Sequence, residues 1–298
     1  MRVLISLIGD QIIPNLLPIK HSKPDLSIAV FSRMTRKGYD RLEKIIQQKP
    51  RLIPLEVDAY SIDSMQSALL NSLQNQWDGS GELLFNITGG TKPMSLAAYL
   101  VAARMNAPLI YIQSEGKRSR LFRYEFREGN PVLVGDEILP ALITLDEYLQ
   151  AHVDVHQSRK RPVDDKGHRF EQAIITALCD VVDEIKAGIN LQGVVEIDIA
   201  VRCENQIGII EVKTGSNKLK MAIDQLNTAA GQTYLGTYTQ KFLVSDQDWS
   251  AYSDLKELAD AHRITVVELP PYLGKGKLNV AETEKLQTII LKGLGKAL

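Results

Sequence analysis

FNITGGTKPMS, from Phe85 to Ser95, joins an apolar run to a helical pattern through two adjacent glycines. Glycine allows positive φ angles and a close approach of the backbone to a neighbouring group. The free N–H groups and the dipole at the start of a helix favour an anion, and Lys92 adds a full positive charge. The stretch is therefore either a tightly packed strand-to-helix turn or an anion-binding loop.

Apolar runs alternate with amphipathic segments on both sides of this turn, up to about residue 112. Such alternation is typical of a parallel sheet covered by helices on both faces. The predicted strands are RVLISLI, DLSIAVFS, RLIPLEV, GELLFNI and APLIYIQ. The predicted helices span about 39–48, 61–76 and 93–105. The runs RSRLFRYEF and NPVLVG are then predicted to close the sheet as a hairpin.

A second unusual loop, GDQIIPN, follows the first predicted strand. In a doubly wound sheet of order 3-2-1-4-5, strands one and four are neighbours, and ligands bind beyond their carboxyl ends. Both loops are therefore expected to open into one crevice. Common nucleotide motifs do not fit, because Pro93 follows Lys92 and no GxGxxG follows the first strand. The pattern favours neither a P-loop ATPase nor a dinucleotide-dependent dehydrogenase.

Together the two loops resemble those of the CARF domain, the Rossmann-like sensor of CRISPR-associated proteins, over roughly the first 125 residues. The resemblance implies binding of a cyclic oligoadenylate, with cyclic tetra-adenylate as the expected ring, at the two-fold axis of a homodimer. A ligand with two-fold symmetry suits an isologous dimer, to which each protomer gives the same loops. The implied ligand-binding residues are Gly9, Asp10, Gln11, Ser32, Thr88, Gly89, Gly90, Thr91 and Lys92.

The second half has a different order of elements. A long helix is predicted over about 165–185, and two alternating runs, GVVEIDIAV and QIGIIEVKTG, follow it. The strands KFLVS and RITVVEL then alternate with helices predicted near 219–231, 253–262 and 282–291. This order predicts a mixed α/β domain with a central hairpin.

The hairpin brings acidic residues together. If Glu204 and Asn205 form a two-residue turn, opposed residues have numbers that sum to 409, so Asp198 faces Glu211. Strand alternation puts both carboxylates on one face with Glu196 and Lys213. Opposed like charges destabilise a hairpin, so a divalent cation is expected between them, and oxygen ligands favour Mn²⁺ or Mg²⁺. A solvent-facing hairpin with a Glu211–Lys213 ion pair is the alternative, but Glu211 lies in an apolar run where an unpartnered carboxylate is costly.

The spacing D-x12-E-x-K resembles that of the PD-(D/E)xK nucleases, which have a restriction-endonuclease-like α/β fold. The resemblance implies that Asp198 and Glu211 bind the metal, with Glu171 on the preceding helix as a further ligand. Lys213 orients the attacking water or stabilises the developing charge. Gln225 on the following helix helps to position the attacking group. The departure from the pattern is Ile197, where such families often have proline.

Both resemblances together imply a cyclic-oligoadenylate-activated nuclease of type III CRISPR antiviral defence. The expected substrates are single-stranded or nicked DNA, RNA, or both. Two alternatives remain: a sensor that binds nucleic acid without cleaving it, and a ring nuclease that degrades the cyclic oligoadenylate. The expected division is a CARF domain over 1–135, a connector over 136–160 and a nuclease domain over 161–298.

Composition agrees with a cytoplasmic protein that makes no membrane contact. The 298 residues include two cysteines without CxxC spacing, which excludes a disulfide framework and a zinc ribbon. No segment has the apolar length needed to span a bilayer. The net charge of −1 restricts any nucleic-acid contact to local patches.

Overall fold

The computed structural model describes residues 1–47, 49–115, 118–153, 155–157, 166–270, 272 and 276–296. The chain divides into two compact units, Met1–Ile143 and Thr144–Leu298. Each unit contains one β-sheet with its own apolar core. In the described part of the chain, no helix combines the length and the apolar character that crossing a bilayer requires.

The first unit contains a seven-stranded sheet of order β3-β2-β1-β4-β5-β6-β7. Its strands are β1 (Arg2–Leu7), β2 (Leu26–Phe31), β3 (Arg51–Glu56), β4 (Glu82–Asn86), β5 (Leu109–Glu115), β6 (Arg118–Arg127) and β7 (Asn130–Ile138). The first five strands are parallel, and β6 and β7 add an antiparallel hairpin at the edge. The predicted doubly wound order and the closing hairpin are confirmed.

Four α-helices connect the parallel strands: α1 (Ile13–Ser22), α2 (Arg36–Ile45), α3 (Ile62–Gln76) and α4 (Lys92–Arg104). Apolar side chains of α3 and α4 share a core with β1, β2 and β4. The sequence did not predict α1, because Pro14 and Pro18 interrupt its helical pattern. Pro14 lies in the first turn, where a missing N–H is tolerated. A short 3₁₀ turn, Arg33–Thr35, precedes α2, which begins and ends three residues earlier than predicted.

The second unit contains a six-stranded sheet of order β13-β12-β11-β10-β9-β8. Its strands are β8 (Val155–Gln157), β9 (Glu184–Leu191), β10 (Val195–Cys203), β11 (Gln206–Lys213), β12 (Gln240–Ser245) and β13 (Ile264–Glu268). Strands β8 to β11 pair antiparallel, whereas β11, β12 and β13 are parallel. The predicted mixed α/β class is confirmed.

The helices of the second unit are α5 (Leu145–His152), α6 (Lys166–Leu178), α7 (Leu219–Ala229), α8 (Ser253–Ala261) and α9 (Val280–Gly293). The predicted helix over 165–185 is wrong beyond Leu178, and β9 occupies the residues from Glu184 onward. Apolar residues continue at helical spacing through Val181 and Val182, which extended the prediction past the true end of the helix. Helices α6 and α9 share a core with the central strands of this sheet.

The predicted connector contains regular structure. The end of β7 lies within residues 136–160, as do α5 and β8, and the two units divide between Ile143 and Thr144. Residues 158–165, at the expected junction of connector and nuclease domain, lie outside the described residues.

Candidate functional sites

The glycine loop, residues 87–91, follows β4 and contacts the end of β1. A Cβ atom on Gly89 would overlap the carbonyl oxygen of Leu7 and would lie 3.1 Å from the backbone nitrogen of Gly9. Gly90 has a φ of +74°, in the left-handed region that favours glycine. Close packing between the ends of β1 and β4 therefore explains both glycines in this loop, whether or not a ligand binds beside them.

Thr88 is held within the protein by three hydrogen bonds. Its hydroxyl donates to Asn86 Oδ1 at 2.6 Å and accepts from the Ile112 backbone nitrogen at 2.8 Å. Its own backbone nitrogen donates to the same Asn86 oxygen at 3.1 Å. Asn86 is fully buried, and its Nδ2 donates to the Pro14 carbonyl at 2.9 Å. Asn86 thus ties the glycine loop to α1, a role that the sequence analysis missed although a polar residue ending an apolar strand was a visible signal.

Thr91 and Lys92 form the start of α4. The Thr91 hydroxyl accepts a long hydrogen bond from the Met94 backbone nitrogen at 3.4 Å, and so acts as the N-cap of the helix. The same hydroxyl donates to the Ala59 carbonyl at 2.8 Å. Lys92 is the first helical residue, and its side chain is exposed. The positive end of the helix dipole and the Lys92 ammonium therefore lie at the same place.

The remaining predicted ligand-binding residues follow β1 and β2. Ser32 is buried and begins the 3₁₀ turn, where its backbone nitrogen donates to Thr35 Oγ1 at 3.1 Å. Asp10 is exposed, and Gln11 is half-buried. Strands β2, β1 and β4 are adjacent and parallel. The fold therefore brings all nine predicted residues to the carboxyl edge of one sheet: Gly9, Asp10, Gln11, Ser32, Thr88, Gly89, Gly90, Thr91 and Lys92.

The acidic hairpin of the second unit consists of β10 and β11. Its paired residues run from Cys203 opposite Gln206 to Ile199 opposite Ile210, so their numbers sum to 409 as predicted. Asp198 and Glu211 come next along the two strands, and they are 1% and 2% exposed. The hairpin therefore holds two carboxylates inside the protein, where charged groups are stable only with partners.

Lys213 supplies the positive charge in this cluster. Its Nζ donates a hydrogen bond to Glu211 Oε1 and lies 3.9 Å from Asp198 Oδ2. Asp198 Oδ2 also accepts from the Val212 backbone nitrogen at 2.8 Å. Two carboxylates and one ammonium give the cluster an excess negative charge when all three are ionised. Adjacent carboxylates of this kind suit a hard divalent cation such as Mg²⁺ or Mn²⁺.

Glu171, predicted as a further metal ligand, lies on α6. Within the described ranges, no three His, Cys, Asp or Glu side chains are placed to hold a metal ion. Glu171 is 7% exposed and belongs to α6, whose Phe170 packs in one core with Ile199. Since strand residues alternate between faces, Ile199 and Asp198 point to opposite sides of the sheet. A metal-binding role for Glu171 stays a prediction.

Gln225 is engaged with the start of β10. Helix α7 packs against β10 and β11, and Gln225 Nε2 donates to the Glu196 carbonyl. Gln225 therefore fixes α7 to the strand that carries Asp198. Glu196 itself is half-buried. The predicted role of Gln225 in positioning the attacking group stays a prediction.

The sequence analysis also missed Asp246, which directly follows β12. Its side chain is 2% exposed, and its backbone nitrogen donates to the Lys213 carbonyl at 3.3 Å. Strands β11 and β12 are parallel, with Lys213 opposite Ser245. A carboxylate immediately after the apolar run KFLVS was the signal that could have pointed to it.

Known structures share the fold along nearly the whole chain. Can2 from Sulfobacillus thermosulfidooxidans, solved in complex with cyclic tetra-adenylate, matches with a TM-score of 0.74 at 15% identity, over 99% of both chains. Protein VC1899 from Vibrio cholerae matches with a TM-score of 0.70 at 14% identity, over 99% of this chain and 98% of that chain.

A third structure is described as a type III CRISPR defence DNA nuclease activated by cyclic oligoadenylate. It matches with a TM-score of 0.56 at 12% identity, over 97% of this chain and 45% of its own length. No curated protein matches the sequence. The family model described as the Card1 CARF domain matches residues 3–148. The first unit, with its doubly wound sheet and its loops after β1 and β4, therefore has the fold of the CARF domain.

Proposed function

We propose that this protein is a metal-dependent nuclease that a cyclic oligoadenylate activates in type III CRISPR antiviral defence. The observation that carries the proposal is the buried cluster of Asp198, Glu211 and Lys213. The spacing of these residues resembles the PD-(D/E)xK pattern, and the contacts of Lys213 with both carboxylates support the assignment. The CARF fold of the first unit supports control by a cyclic nucleotide.

The activator is proposed to bind at the carboxyl edge of the first sheet. Support comes from the CARF fold and from Can2, which was solved with cyclic tetra-adenylate. The exposed Lys92 ammonium and the start of α4 offer positive charge to the phosphates of such a ring. We further propose a homodimer whose two-fold axis passes through the ring, because a symmetric ligand can then contact two equal sets of loops.

Hydrolysis is proposed to take place at the acidic hairpin. Asp198 and Glu211 would hold a divalent cation, which when bound polarises a phosphodiester and lowers the pKa of water. Lys213 would donate hydrogen bonds to a phosphoryl oxygen and stabilise the negative charge that develops as water attacks phosphorus. Glu171 on α6 would be a further metal ligand, directly or through water, and Gln225 on α7 would help to position the attacking group. The products would be a phosphate monoester and a free hydroxyl group.

Cleavage of labelled nucleic acids tests this proposal. Single-stranded DNA, nicked and supercoiled DNA, and RNA are incubated with Mn²⁺ or Mg²⁺, each with and without cyclic tetra- or hexa-adenylate. We expect cleavage of DNA, RNA or both that depends on metal and on one of the rings.

Asp198→Asn is the matched control, because it keeps the shape of the side chain and removes its charge. This variant should bind the activator normally and cleave nothing. Full cleavage by a well-folded Asp198→Asn protein would rule out the assignment. Steady loss of the activator in that variant would instead point to a ring nuclease in the first unit.

A further inference from the structure

Asp246 binds the backbone on both sides of Thr214, at the point where β11 ends. Its backbone nitrogen donates to the Lys213 carbonyl at 3.3 Å, and its Oδ1 accepts from the Gly215 backbone nitrogen at 2.7 Å. Gly215 has a φ of +76°, so the chain turns sharply there. A single residue therefore fixes both the last residue of the strand and the turn that follows it.

The other oxygen of Asp246 attaches a helix to the same point. Asp246 Oδ2 accepts from Lys166 Nζ at 2.7 Å, and Lys166 is the first residue of α6. Gln247 Nε2 donates to Oδ1 at 2.6 Å. Helix α6 also carries Glu171, five residues after Lys166. Asp246 thus joins the two elements that supply Lys213 and Glu171.

Stability alone is a weak reason for a buried carboxylate at this position. Taking a charge out of water costs several kcal/mol, and apolar residues of similar volume are often equally or more stabilising than a buried ion pair. An apolar side chain could fill the space after β12. It could not accept hydrogen bonds from Gly215 and Lys166 at the same time. The arrangement therefore fixes the geometry of the backbone around Thr214 in a way that an apolar residue could not.

We propose that Asp246 is a positioning residue that holds the end of β11, and with it Lys213, against the start of α6. The inference rests on the proposed function, because it assigns Asp246 a part in orienting the catalytic lysine. Asp246 itself contacts neither the Lys213 ammonium nor the two carboxylates in this role; it acts through the backbone of residues 213–215.

Asp246→Leu, which is of similar size and has no acceptor for Gly215 or Lys166, tests the proposal in the full-length protein with two readouts. We expect kcat for nucleic-acid cleavage to fall about tenfold or more while KM stays within about twofold, as is typical when a supporting contact is lost. We also expect the backbone amides of residues 211–217 to exchange hydrogen faster. Lys296→Met is the matched control, because it removes another ion pair of the second unit, to Asp183 at 3.1 Å. It should change neither readout.

The double variant Lys166→Met/Asp246→Leu separates positioning from folding. It removes both charges, so no lone buried charge remains, and its melting temperature should recover relative to Lys166→Met alone. Its kcat should stay as low as that of Asp246→Leu. Recovery of kcat together with the melting temperature would overturn the proposal, because Asp246 would then act only through stability.

Hydrogen exchange distinguishes failure of this inference from failure of the proposed function. Suppose that the wild type cleaves nothing while the Asp246 variant still exchanges faster at residues 211–217. That result would support the positioning contact and reject the proposed nuclease activity. Unchanged exchange in Asp246→Leu would overturn the positioning role, whatever the wild type cleaves. Faster exchange with an unchanged kcat would overturn it as well.

Discussion

Lys92 is an exposed cation at the start of α4, where it meets the positive end of the helix dipole. Lys92→Ala should weaken cyclic tetra-adenylate binding at least about tenfold, because a hydrogen bond between charged groups contributes roughly 1.5–3 kcal/mol. Isothermal titration calorimetry measures the change.

Lys44→Ala is the matched control for Lys92→Ala. Lys44 is exposed in the last turn of α2, and this turn lies toward the amino ends of the strands, away from the proposed ligand site. Its loss should leave the affinity within about twofold. Equal affinities for wild type and Lys92→Ala would contradict the proposed position of the ligand.

Asp246 makes the stability of the second unit depend on pH. Burial raises the pKa of this carboxyl, but hydrogen bonds from Lys166, Gln247 and Gly215 outweigh burial and leave the pKa below its ordinary value. A group whose pKa is lower in the folded state stabilises the fold above the unfolded pKa of about 3.9, and this stabilisation is lost as pH falls through the folded pKa.

The difference in free energy of unfolding between wild type and Asp246→Asn should therefore be constant from about pH 7 to pH 5. It should shrink below about pH 4, where Asp246 in the unfolded wild-type chain begins to take up a proton while Asp246 in the folded protein is still ionised. Urea denaturation over a series of pH values measures this difference, and other carboxylates cancel because both proteins share them. A difference that stays constant down to about pH 3 would contradict the lowered pKa.

Residues that face each other across one hairpin could be predicted from the sequence. Strand alternation and a two-residue turn were enough to predict the register that is observed from Ile199 opposite Ile210 to Cys203 opposite Gln206. The contacts of Lys213 with Asp198 and Glu211 agree with that register. The bonds from Thr88 to Ile112 and from Lys166 to Asp246 could not be predicted in this way. Their partners lie 24 and 80 residues apart, and only the order of the strands in each sheet brings them together.

Thr91 stabilises the first unit as well as lying at the proposed ligand site. Thr91→Ala should lower the free energy of unfolding by about 1–2 kcal/mol, because it removes an N-cap and leaves the Ala59 carbonyl without its hydroxyl donor. Thr91→Ser keeps the hydroxyl and should restore most of the loss. Chemical denaturation in the absence of ligand measures both. No loss in Thr91→Ala would mean that the capping bond, at 3.4 Å, contributes little.

Elements with a clear hydrophobic pattern were predicted correctly. Elements whose pattern is interrupted by proline, or continues that of the preceding element, were not. The five parallel strands of the first unit are apolar runs bounded by turn residues, and all five were found. Helix α1 contains two prolines and was missed. The helix predicted over 165–185 extended through Val181 and Val182 into the first residues of β9, and this strand was therefore missed. Local pattern fails where burial in the finished sheet, rather than propensity, selects the structure.

The proposed homodimer predicts a definite stoichiometry for the whole protein. If one ring binds on a two-fold axis, calorimetry should give one cyclic tetra-adenylate for every two chains. Light scattering on the eluted protein should give the mass of two 33.2 kDa chains. One ring per chain, or a monomer that remains monomeric with ligand, would contradict a shared site.

Lys213 also affects how the protein folds before any metal binds. Its ammonium already neutralises part of the charge on Asp198 and Glu211, so the second sheet contains its own internal counter-ion. Newly synthesised chains can therefore fold this sheet without a bound divalent cation. On the proposed function, a cell short of metal would accumulate folded, inactive protein rather than misfolded chains, and this protein would become active once metal and cyclic oligoadenylate were both present.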